Sequence, residues 1–450
     1  MDNPPDSIAD FVSSCAAKAT TAGASVSLDD FYAYMPTHSY IFVPSREMWP
    51  AASVNARVPG AKTGELEDDG KQKTISPTAW LDKNQPVDQM TWAPGEPMII
   101  KGRLVSDGGW IEREGSDCFN LYRPPAVNLG NSENALPWVN HVETVYPTDA
   151  GHIIKYLAHR VQRPGEKINH AIVMGGAQGI GKDSILEPVK HAVGPWNFAE
   201  VSPKNILGRF NGFLKSVILR VSEARDLGEF DRFSFYDHMK TYTASPPDVL
   251  RVDEKHIREH AVMNCCGVII TTNHKTDGLY LPADDRRHYV AWSERKKEDF
   301  DSDYWNGLWQ WYASGGISHV AAYLGTLDIK EFDPKAPPAK TQAFWDIADA
   351  NRAPEEAELT DVLDTLGNPA AVTLSQILSA AGGSEIGIWL ADRKNRRAIP
   401  HRLEDCDYTP IRNNDAKDGL WKINDKKQVI YARRDITAAE RYRAAIELKG

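Results

Sequence analysis

A glycine-rich segment at residues 175–184, GGAQGIGKDS, constrains the fold of this chain more than any other feature. The short apolar run from Ala171 to Met174 precedes it, and a helix is predicted to begin at about Lys182. Glycine adopts backbone conformations that other residues avoid, so the segment between the two elements is predicted to be a tight loop. A strand, a glycine loop and a helix in this order predict an α/β domain with a largely parallel sheet.

The glycine segment matches the spacing G-x-x-x-x-G-K at Gly176, Gly181 and Lys182. In such a loop, backbone N–H groups point at phosphate oxygens, and the lysine reaches the β- and γ-phosphates of a nucleotide. The positive end of the following helix faces the same anion. We therefore predict a P-loop that binds ATP through residues Gly176, Ala177, Gln178, Gly179, Ile180, Gly181, Lys182, Asp183 and Ser184.

One position of the loop departs from this pattern. The residue after the lysine is ordinarily Ser or Thr, whose hydroxyl binds Mg²⁺, but here it is Asp183, and Ser184 follows it. A carboxylate is a suitable oxygen ligand for Mg²⁺, although its charge lies close to the phosphates. The sequence leaves three arrangements open: Asp183 binds the metal, Ser184 binds it, or water molecules hold most of it.

Two later apolar runs end in polar residues that suit an ATPase. The run 216–222 leads into Glu223, a candidate to orient the attacking water and to help hold Mg²⁺, and Asp226 is an alternative. The run 267–272 leads into Asn273. Because ligands of open α/β sheets bind at the carboxyl ends of the strands, Asn273 is predicted to contact the γ-phosphate or the attacking water.

An arginine pair follows these runs, in the segment DDRR at residues 284–287. In ring-shaped ATPases, an arginine from one subunit stabilises the charge that develops on the γ-phosphate bound to its neighbour. Arg286 or Arg287 is the candidate for that role. Each signal alone has a structural alternative, such as a turn or a surface ion pair. Their order, a phosphate loop, an acid, an asparagine and an arginine, favours an ATP hydrolase.

This order and spacing resemble the superfamily 3 helicases of small viruses, phages and plasmids, a branch of the AAA+ ATPases. The segments YLAHRVQRPG at residues 156–165 and DDRR are similar to the primase–helicase proteins of phages and plasmids. The resemblance covers about residues 145–295. It implies ATP and Mg²⁺ as cofactors and assigns roles to the phosphate lysine Lys182, the catalytic acid Glu223, the sensor Asn273 and a trans-acting Arg286 or Arg287.

The resemblance also implies a β-hairpin that carries a basic residue into the central channel of a hexameric ring. Residues 252–256, VDEKH, occupy that place and are similar to the Lys-His hairpin tip of the papillomavirus helicases. Lys255 and His256 are therefore candidates for contact with DNA phosphates. The implied protein is a replicative helicase of a phage, prophage or plasmid. It would translocate on single-stranded DNA and open forked DNA, with a primase or other replication proteins as candidate partners.

Composition divides the chain into an accessory α+β domain at 1–140, the ATPase domain at 141–330 and a C-terminal domain at 341–450. The Pro-rich stretch 332–340 is predicted to be a linker. Residues 391–434 carry 12 Lys and Arg against 7 Asp and Glu, in a chain whose net charge is −10. Arg396 and Arg397, and two strands that flank residues 424–427, favour a winged-helix-like module that binds DNA. Pro400 disfavours one continuous helix through the basic segment.

The bulk properties exclude several classes of protein. No apolar run is long enough to cross a bilayer and the N-terminus lacks the features of a signal peptide, so a cytoplasmic location in a bacterial host cell is expected. The five cysteines are odd in number and scattered, which predicts neither a disulfide framework nor a zinc site. Cys265 and Cys266 are predicted to be buried core thiols.

Three other functions remain open at this point. An AAA+ ATPase that remodels or loads protein partners would hydrolyse ATP without strong stimulation by single-stranded DNA. A nucleotide-gated DNA-binding protein would bind DNA and turn over little ATP. A small-molecule kinase would need an acceptor pocket and a lid, for which the sequence gives no sign.

Overall fold

The structure, a computed structural model, describes residues 26–66, 72–222, 228–255, 257–275, 279–350, 354–396, 398–423 and 425–449. They divide into two units. The first comprises the described residues up to Tyr280 together with Asp284–Phe344, and the second comprises Leu281–Ala283 and the described residues from Trp345 onward. The predicted regions 1–140 and 141–330 therefore share one unit, and the second unit begins close to residue 341.

The described residues form neither a disulfide nor a cluster of His, Cys, Asp and Glu suited to a metal ion. The prediction for Cys265 and Cys266 is confirmed, because both thiols are free and buried, and burial raises the pKa of each. In the described part of the chain, no helix has the length and apolar character needed to cross a lipid bilayer.

Small sheets and two short helices open the first unit. Its elements up to residue 120 are β1 (Phe31–Tyr34), β2 (Ser39–Phe42), β3 (Glu47–Trp49), α1 (Ala51–Arg57), β4 (Ala61–Leu66), β5 (Gln72–Ile75), α2 (Pro77–Asn84), β6 (Pro86–Val87), β7 (Gln89–Thr91), β8 (Ile99–Ser106) and β9 (Gly109–Asn120).

Three sheets arrange these strands in the orders β3-β2-β1-β6, β4-β5 and β7-β9-β8. Strands β8 and β9 form an antiparallel hairpin whose turn is at Asp107 and Gly108, where the sequence predicts a turn. Phe31, Tyr40 and Leu81 are fully buried and form part of a small core between the first sheet and the two helices.

The rest of the first unit is an α/β layer structure. Its elements are α3 (Leu136–Val145), α4 (Ala150–Gln162), β10 (Ala171–Gly176), α5 (Lys182–Val193), β11 (Phe198–Val201), α6 (Pro203–Ile206), β12 (Ile218–Val221), α7 (Gly228–Thr243), β13 (Val249–Glu254), β14 (Ile257–Met263), β15 (Gly267–Thr272), β16 (His288–Ser293), α8 (Ser302–Trp311) and α9 (Ile317–Thr326).

A parallel sheet forms the centre of this structure. In the described residues it has five strands in the order β11-β12-β15-β10-β16, and every neighbouring pair is parallel. Strands β10 and β15 are buried along their whole length, as expected for a parallel sheet that is covered on both faces. The predicted α/β fold with a parallel sheet is confirmed.

Helices α4, α5 and α9 pack against one another beside this sheet. The sequence predicts an amphipathic helix from Asp149 to Val161, and α4 confirms it within a residue at each end. Its apolar positions Ile153 and Leu157 are fully buried with Ile172 and Met174 of β10 in one core. Burial of this continuous apolar surface is the main term that holds the carboxyl edge of the sheet in place.

The predicted linker at 332–340 needs a correction, because its first part packs on the first unit. Ile329 and Phe332 are buried in the main core. Asn169 N–H donates to the carbonyl of Pro334 at 2.7 Å, and Thr341 Oγ1 donates to that of Val290 at 2.7 Å. Proline content suggested a free spacer, but two apolar side chains three residues apart anchor the segment.

The second unit alternates short helices with short strands. Helix α10 (Gln342–Ala350) crosses the boundary between the units, and the elements after it are α11 (Pro354–Thr365), β17 (Ala371–Thr373), α12 (Leu374–Ala381), α13 (Glu385–Ala391), α14 (Ile399–Asp405), β18 (Tyr408–Ile411), β19 (Trp421–Ile423), β20 (Lys426–Gln428), β21 (Ile430–Arg433) and α15 (Ala438–Lys449).

An antiparallel sheet in the order β17-β21-β18 closes this unit, and the separate hairpin β19–β20 is inserted between β18 and β21. The predicted break at Pro400 is confirmed, because α13 ends at Ala391 and Pro400 lies in the first turn of α14. The predicted turn at 424–427 is too long, since Lys426 and Lys427 already belong to β20. The strand predicted at 428–431 is divided between β20 and β21.

Candidate functional site

The glycine loop joins β10 to α5 at the carboxyl edge of the parallel sheet. Gly176, Gly179 and Gly181 have φ values of +141°, +81° and +96°, which residues with a side chain rarely adopt. A Cβ on Gly181 would also lie 2.6 Å from His141 Cε1 and 2.7 Å from a ring carbon of Trp305. Glycine is therefore required at Gly181 on two independent grounds.

Lys182, the first residue of α5, turns its ammonium group into the loop. Its Nζ donates to the carbonyls of Gly176 at 2.6 Å and Ala177 at 2.8 Å, and to Asn273 Oδ1 at 2.8 Å. Burial lowers the pKa of Lys182 to about 8, so the group is still mostly protonated at neutral pH. The structure thus brings together two predicted site residues that are 91 positions apart in the sequence.

Asp183 forms an ion pair with Arg220 of β12. The Asp183 side chain is 78% exposed, whereas the Arg220 side chain is 12% exposed. Arg220 Nη2 also lies 3.4 Å from Thr271 Oγ1, and Nη1 lies 3.4 Å from Glu200 Oε1. Arg220 was not predicted to be a site residue, although a charged residue in the middle of an apolar run was a usable signal.

Ser184 differs from Asp183 in its environment. Its hydroxyl is buried, donates to the Gly181 carbonyl at 2.8 Å and lies 2.8 Å from His141 Nε2. Burial lowers the pKa of His141 to about 4, so this ring is neutral and accepts at Nδ1 from Tyr304 Oη at 2.7 Å. The Ser184 hydroxyl therefore already has protein partners, while the Asp183 carboxylate faces solvent.

Buried aromatic side chains donate hydrogen bonds to the loop and to the start of α5 from the side of the protein interior. Tyr146 Oη donates to the Gly175 carbonyl at 3.1 Å, Tyr312 Oη to the Ser184 carbonyl at 2.9 Å, and Trp138 Nε1 to the Ile185 carbonyl at 3.0 Å. These bonds leave the front of the loop open. Ile180 is fully buried, so only its backbone is available to a ligand there.

A cavity of about 260 Å³ lies in front of the loop. One wall is formed by α8, whose Trp309 is 38% exposed. Trp305 and Trp309 of this wall were not predicted to lie at the site, because a helix rich in aromatic residues ordinarily predicts core. The residues that line the cavity are Gln178, Gly179, Gly181, Lys182, Asp183, Ser184, Arg220, Thr271, Asn273, Trp305 and Trp309.

Glu223, the predicted catalytic acid, lies outside the described residues, and so does the alternative Asp226. The strand that precedes them, β12, ends at Val221 on the carboxyl edge of the sheet and pairs with β15. The role predicted for Glu223 stays a prediction.

Arg286 and Arg287 lie at the opposite edge of the sheet from the glycine loop. The Arg287 carbonyl accepts from Ala171 N–H at 2.8 Å, at the amino end of β10. Gly176, which pairs with Ser293, lies five residues beyond Ala171 along β10. At the usual rise of a strand, this separates the arginine end of β10 from the glycine loop by roughly 16 Å. The two arginines therefore cannot reach the loop of their own subunit without a rearrangement of the sheet.

Asp285 holds this arginine segment in place. It is buried, and its Oδ1 accepts from the N–H groups of Arg287 at 2.9 Å and His288 at 3.0 Å. Burial alone would raise its pKa, but hydrogen bonds and the nearby His288 hold the pKa at about 2. Arg286 is exposed, and a second cavity of about 290 Å³ beside it is lined by Asn169, Ala244, Ser245, Pro246, Arg286, Arg287, Lys335 and Pro337.

A β-hairpin stands between α7 and β15, where the sequence predicts one. Strands β13 and β14 pair antiparallel, and Lys255 is exposed at the tip, while His256 lies outside the described residues. Two acidic residues near the tip are paired, Asp253 with Arg209 at 2.9 Å and Glu254 with Lys215 at 2.5 Å. Within the described residues, Lys255 has no ion-pair partner.

The base of this hairpin is joined to the N-terminal sheets. Thr91 of β7 donates from Oγ1 to the Ala261 carbonyl at 2.9 Å in the interior. Arg251 and Asp107 form an ion pair at 2.6 Å. Val105 of β8 is buried in one cluster with residues of both hairpin strands, and these contacts pack the hairpin against the separate β7-β9-β8 sheet.

In the second unit, Arg396 is exposed in the turn between α13 and α14, and Arg397 lies outside the described residues. The hairpin β19–β20 carries three lysines. Lys422 and Lys427 are paired with Asp425 at 2.8 Å and Asp418 at 2.6 Å, and Lys426 is exposed.

The sequence comparisons identify one family model, that of a family of unknown function, DUF5906, over residues 173–287. This stretch begins in β10 and ends at Arg287, so it contains the glycine loop, the hairpin and Asn273. No curated protein matches the sequence significantly.

Among solved structures, the chain is similar to the apo structure of the C-terminal region (305–718) of NrS-1. The TM-score is 0.61 at 15% identity, and the match covers 90% of this chain and 95% of that one. The two chains share a fold. An A form of the same region gives a TM-score of 0.55 at 14% identity, over 90% and 96% of the chains. JCV helicase matches at a TM-score of 0.28 and 9% identity, over 53% and 66% of the chains, which is too low to support an argument.

Proposed function

We propose that this protein is an ATP-dependent DNA helicase that translocates on single-stranded DNA as a ring, built on a P-loop ATPase core of the AAA+ type. One observation carries the proposal. A glycine loop, its lysine and a strand-end asparagine share one cavity, while the arginines needed beside a γ-phosphate lie roughly 16 Å away at the far edge of the same sheet. Such a subunit holds half of each of two hydrolysis sites.

The residues around the loop fit ATP and Mg²⁺. The loop glycines and the start of α5 offer backbone N–H groups to phosphates, and Lys182 offers a positive charge. Asp183 supplies a carboxylate, the oxygen ligand that Mg²⁺ prefers, which is 78% exposed although it is paired with Arg220. It is a better candidate than the Ser184 hydroxyl, which is buried and hydrogen-bonded. Bound Mg²⁺ would neutralise charge on the phosphates, and Glu223 would orient the attacking water.

The remaining roles follow from the same arrangement. Asn273 would contact the γ-phosphate or the attacking water, since its Oδ1 lies 2.8 Å from Lys182 Nζ. Arg286 or Arg287 would act on the nucleotide of the adjacent subunit, and the exposed Arg286 is the better placed of the two. Lys335 adds a third positive charge to the cavity beside them.

The hairpin β13–β14 is the proposed DNA contact of the ring. Asp253 and Glu254 near its tip are neutralised by Arg209 and Lys215, which leaves Lys255 at the tip to contact phosphate, together with His256. Such contacts carry no base information, as suits a motor that moves along any sequence. Arg258, the second residue of β14, is exposed on the same hairpin.

The second unit is proposed to be a winged-helix-like module that contacts duplex DNA or a replication partner such as a primase. Helices α12, α13 and α14 lie between β17 and β18 of an antiparallel sheet, and the lysine-bearing hairpin β19–β20 is inserted between β18 and β21 of that sheet. Arg396 and Arg397 precede α14 and are the proposed phosphate contacts.

An unwinding assay on a forked duplex with Mg²⁺ and ATP tests the helicase proposal, with Lys255→Ala as the informative variant. We expect wild type to unwind the fork and to be stimulated by single-stranded DNA. Lys255→Ala is expected to keep its basal ATPase, lose unwinding and reduce the slope of log affinity against log salt for single-stranded DNA by about 1. Lys101→Ala, which removes an exposed lysine in β8, is the control and is expected to behave as wild type.

The alternatives predict different outcomes of this assay. ATP turnover that single-stranded DNA leaves unchanged, with no unwinding, would contradict the helicase and favour an ATPase that acts on proteins. Tight DNA binding with negligible ATP turnover in wild type would favour a nucleotide-gated DNA-binding protein.

Trp309 is proposed to stack on the base of the nucleotide, because its half-exposed ring lines the cavity beside the loop. We expect Trp309→Ala to weaken ADP binding about tenfold and Trp309→Phe to retain most of it, because an aromatic face is what a base needs. Calorimetric titration measures both. Tripolyphosphate, which lacks a base, is expected to bind all variants equally. Trp196→Ala removes an exposed tryptophan elsewhere and serves as the control. Equal loss of ADP and tripolyphosphate binding would contradict stacking.

A further inference from the structure

Arg220 occupies an unusual position for a charged residue. It lies within β12, whose other residues are apolar, in a parallel sheet of the kind that is ordinarily apolar throughout. A guanidinium that is removed from water needs compensating partners. Its Nε is buried without a hydrogen-bond partner among the described residues. The residue therefore has an electrostatic requirement that packing of the sheet does not explain.

The ion-pair partner that faces the cavity is Asp183. Arg220 reaches from the sheet to the first turn of α5 and binds the Asp183 carboxylate, one residue after Lys182. Both members of the pair line the cavity in front of the glycine loop. Glu200 is the other acid near Arg220, at 3.4 Å from Nη1, and it does not line that cavity.

The ion pair offsets the negative charge that Asp183 places at the nucleotide site. A carboxylate after the phosphate lysine places a negative charge beside the phosphates, which repel it. We propose that Arg220 cancels this charge, and so allows a carboxylate to stand where a hydroxyl is usual. This inference rests on the proposed nucleotide site and gives Arg220 a positioning role there. Arg220 acts on the nucleotide through Asp183, and the phosphates themselves are contacted by Lys182 and the loop backbone.

The proposal predicts that nucleotide affinity follows the net charge of the pair. Arg220→Ala leaves an unpaired carboxylate and is expected to weaken binding of ADP without Mg²⁺ about tenfold, a size typical of coupled charges. Asp183→Ser leaves the Arg220 guanidinium paired only with Glu200, which does not line the cavity, and is expected to strengthen ADP binding about tenfold by the same reasoning. The double variant, in which this pair is neutral as in wild type, is expected to bind within about twofold of wild type, because removing both charges restores the net charge beside the phosphates.

Isothermal titration of ADP in EDTA and in Mg²⁺ measures these affinities. Rescue of Arg220→Ala by Asp183→Ser is the decisive readout, because a folding defect would not be repaired by changing Asp183. Glu187→Ser, which removes another carboxylate of α5, is the control and is expected to leave ADP affinity unchanged. A double variant as weak as Arg220→Ala would overturn the proposal, and so would wild-type affinity in Arg220→Ala.

Two features of the design separate this inference from the proposed function. If Arg220→Ala does not fold, Asp183→Ser alone decides, since Asp183 is exposed and unchanged or weaker ADP binding in that variant would overturn the inference. If neither wild type nor Lys182→Ala binds ADP, the proposed nucleotide site itself is contradicted. If ADP affinity follows the net charge of the pair but the protein does not unwind DNA, the role of Arg220 is supported and only the helicase proposal is contradicted.

Discussion

Replacing Lys182 with alanine is expected to lower the rate of ATP hydrolysis on the order of 10²-fold or more, the usual cost of losing a preorganised group at developing charge. The Lys182 ammonium lies in the glycine loop against two backbone carbonyls and Asn273, where it can follow a γ-phosphate as charge shifts during hydrolysis. The measurement is steady-state release of phosphate with Mg²⁺, with and without single-stranded DNA.

Lys190→Ala is the matched control, because it removes a lysine from the last turn of the same helix, away from the loop. This control is expected to hydrolyse ATP at the wild-type rate. Retention of more than a third of the activity in Lys182→Ala, in a protein free of contaminating ATPases, would contradict the proposed site. Melting temperatures of both variants show whether either change acts through stability.

Mixing two inactive variants is expected to restore ATP hydrolysis. One variant carries Lys182→Ala, and the other carries Arg286→Ala and Arg287→Ala. Since the loop and the arginines lie at opposite edges of the sheet, a site would combine the loop of one subunit with the arginines of the next. In a random mixture of equal parts, one interface in four has both intact, so about a quarter of wild-type activity is expected.

The measurement is ATP turnover of each variant alone and of the mixture, after disassembly and reassembly at equal total concentration. Each variant alone is expected to be nearly inactive. A mixture no more active than its components would mean that the arginines act within their own subunit or have no role in hydrolysis. Mixing either variant with wild type gives the control for simple dilution of active rings.

Patterns that are local in sequence predicted several elements around the parallel sheet of the first unit. The glycine loop, α4 and β15 were visible as short periodic or turn-flanked segments. The hairpin was expected from the family resemblance alone, at residues 252–256. That Asn273 would lie near Lys182 followed from a topological rule, since carboxyl ends of parallel strands meet at one edge. Neither inference needed any knowledge of side-chain packing.

What the sequence did not reveal depends on contacts between distant segments. His141 meets Ser184 across 43 positions, and Trp309 reaches the cavity only because α8 returns to the loop. No periodicity encodes such contacts. Arg220 is the exception, because its charge within an apolar strand is visible in the sequence, although no partner was predicted from it.

Two errors arose from composition. Prolines at 332–340 predicted a spacer, yet Ile329 and Phe332 supply enough buried apolar surface to hold the segment on the core. Lys426 and Lys427 were assigned to a turn, but they form β20 of a two-stranded hairpin. Lysine is common on exposed strand edges, where it blocks pairing with other chains, so charge alone does not separate a turn from an edge strand.

The attachment of the hairpin β13–β14 to the N-terminal sheets has a mechanical consequence. Through the Thr91 hydrogen bond and the Arg251–Asp107 ion pair, a displacement of the hairpin would be passed to β7 and to the turn between β8 and β9. In the proposed ring, the hairpin and the N-terminal sheets would therefore move together during each cycle of ATP hydrolysis. The N-terminal sheets would act as a lever that stiffens the DNA grip, and the force on the strand would be borne by a folded layer of the protein.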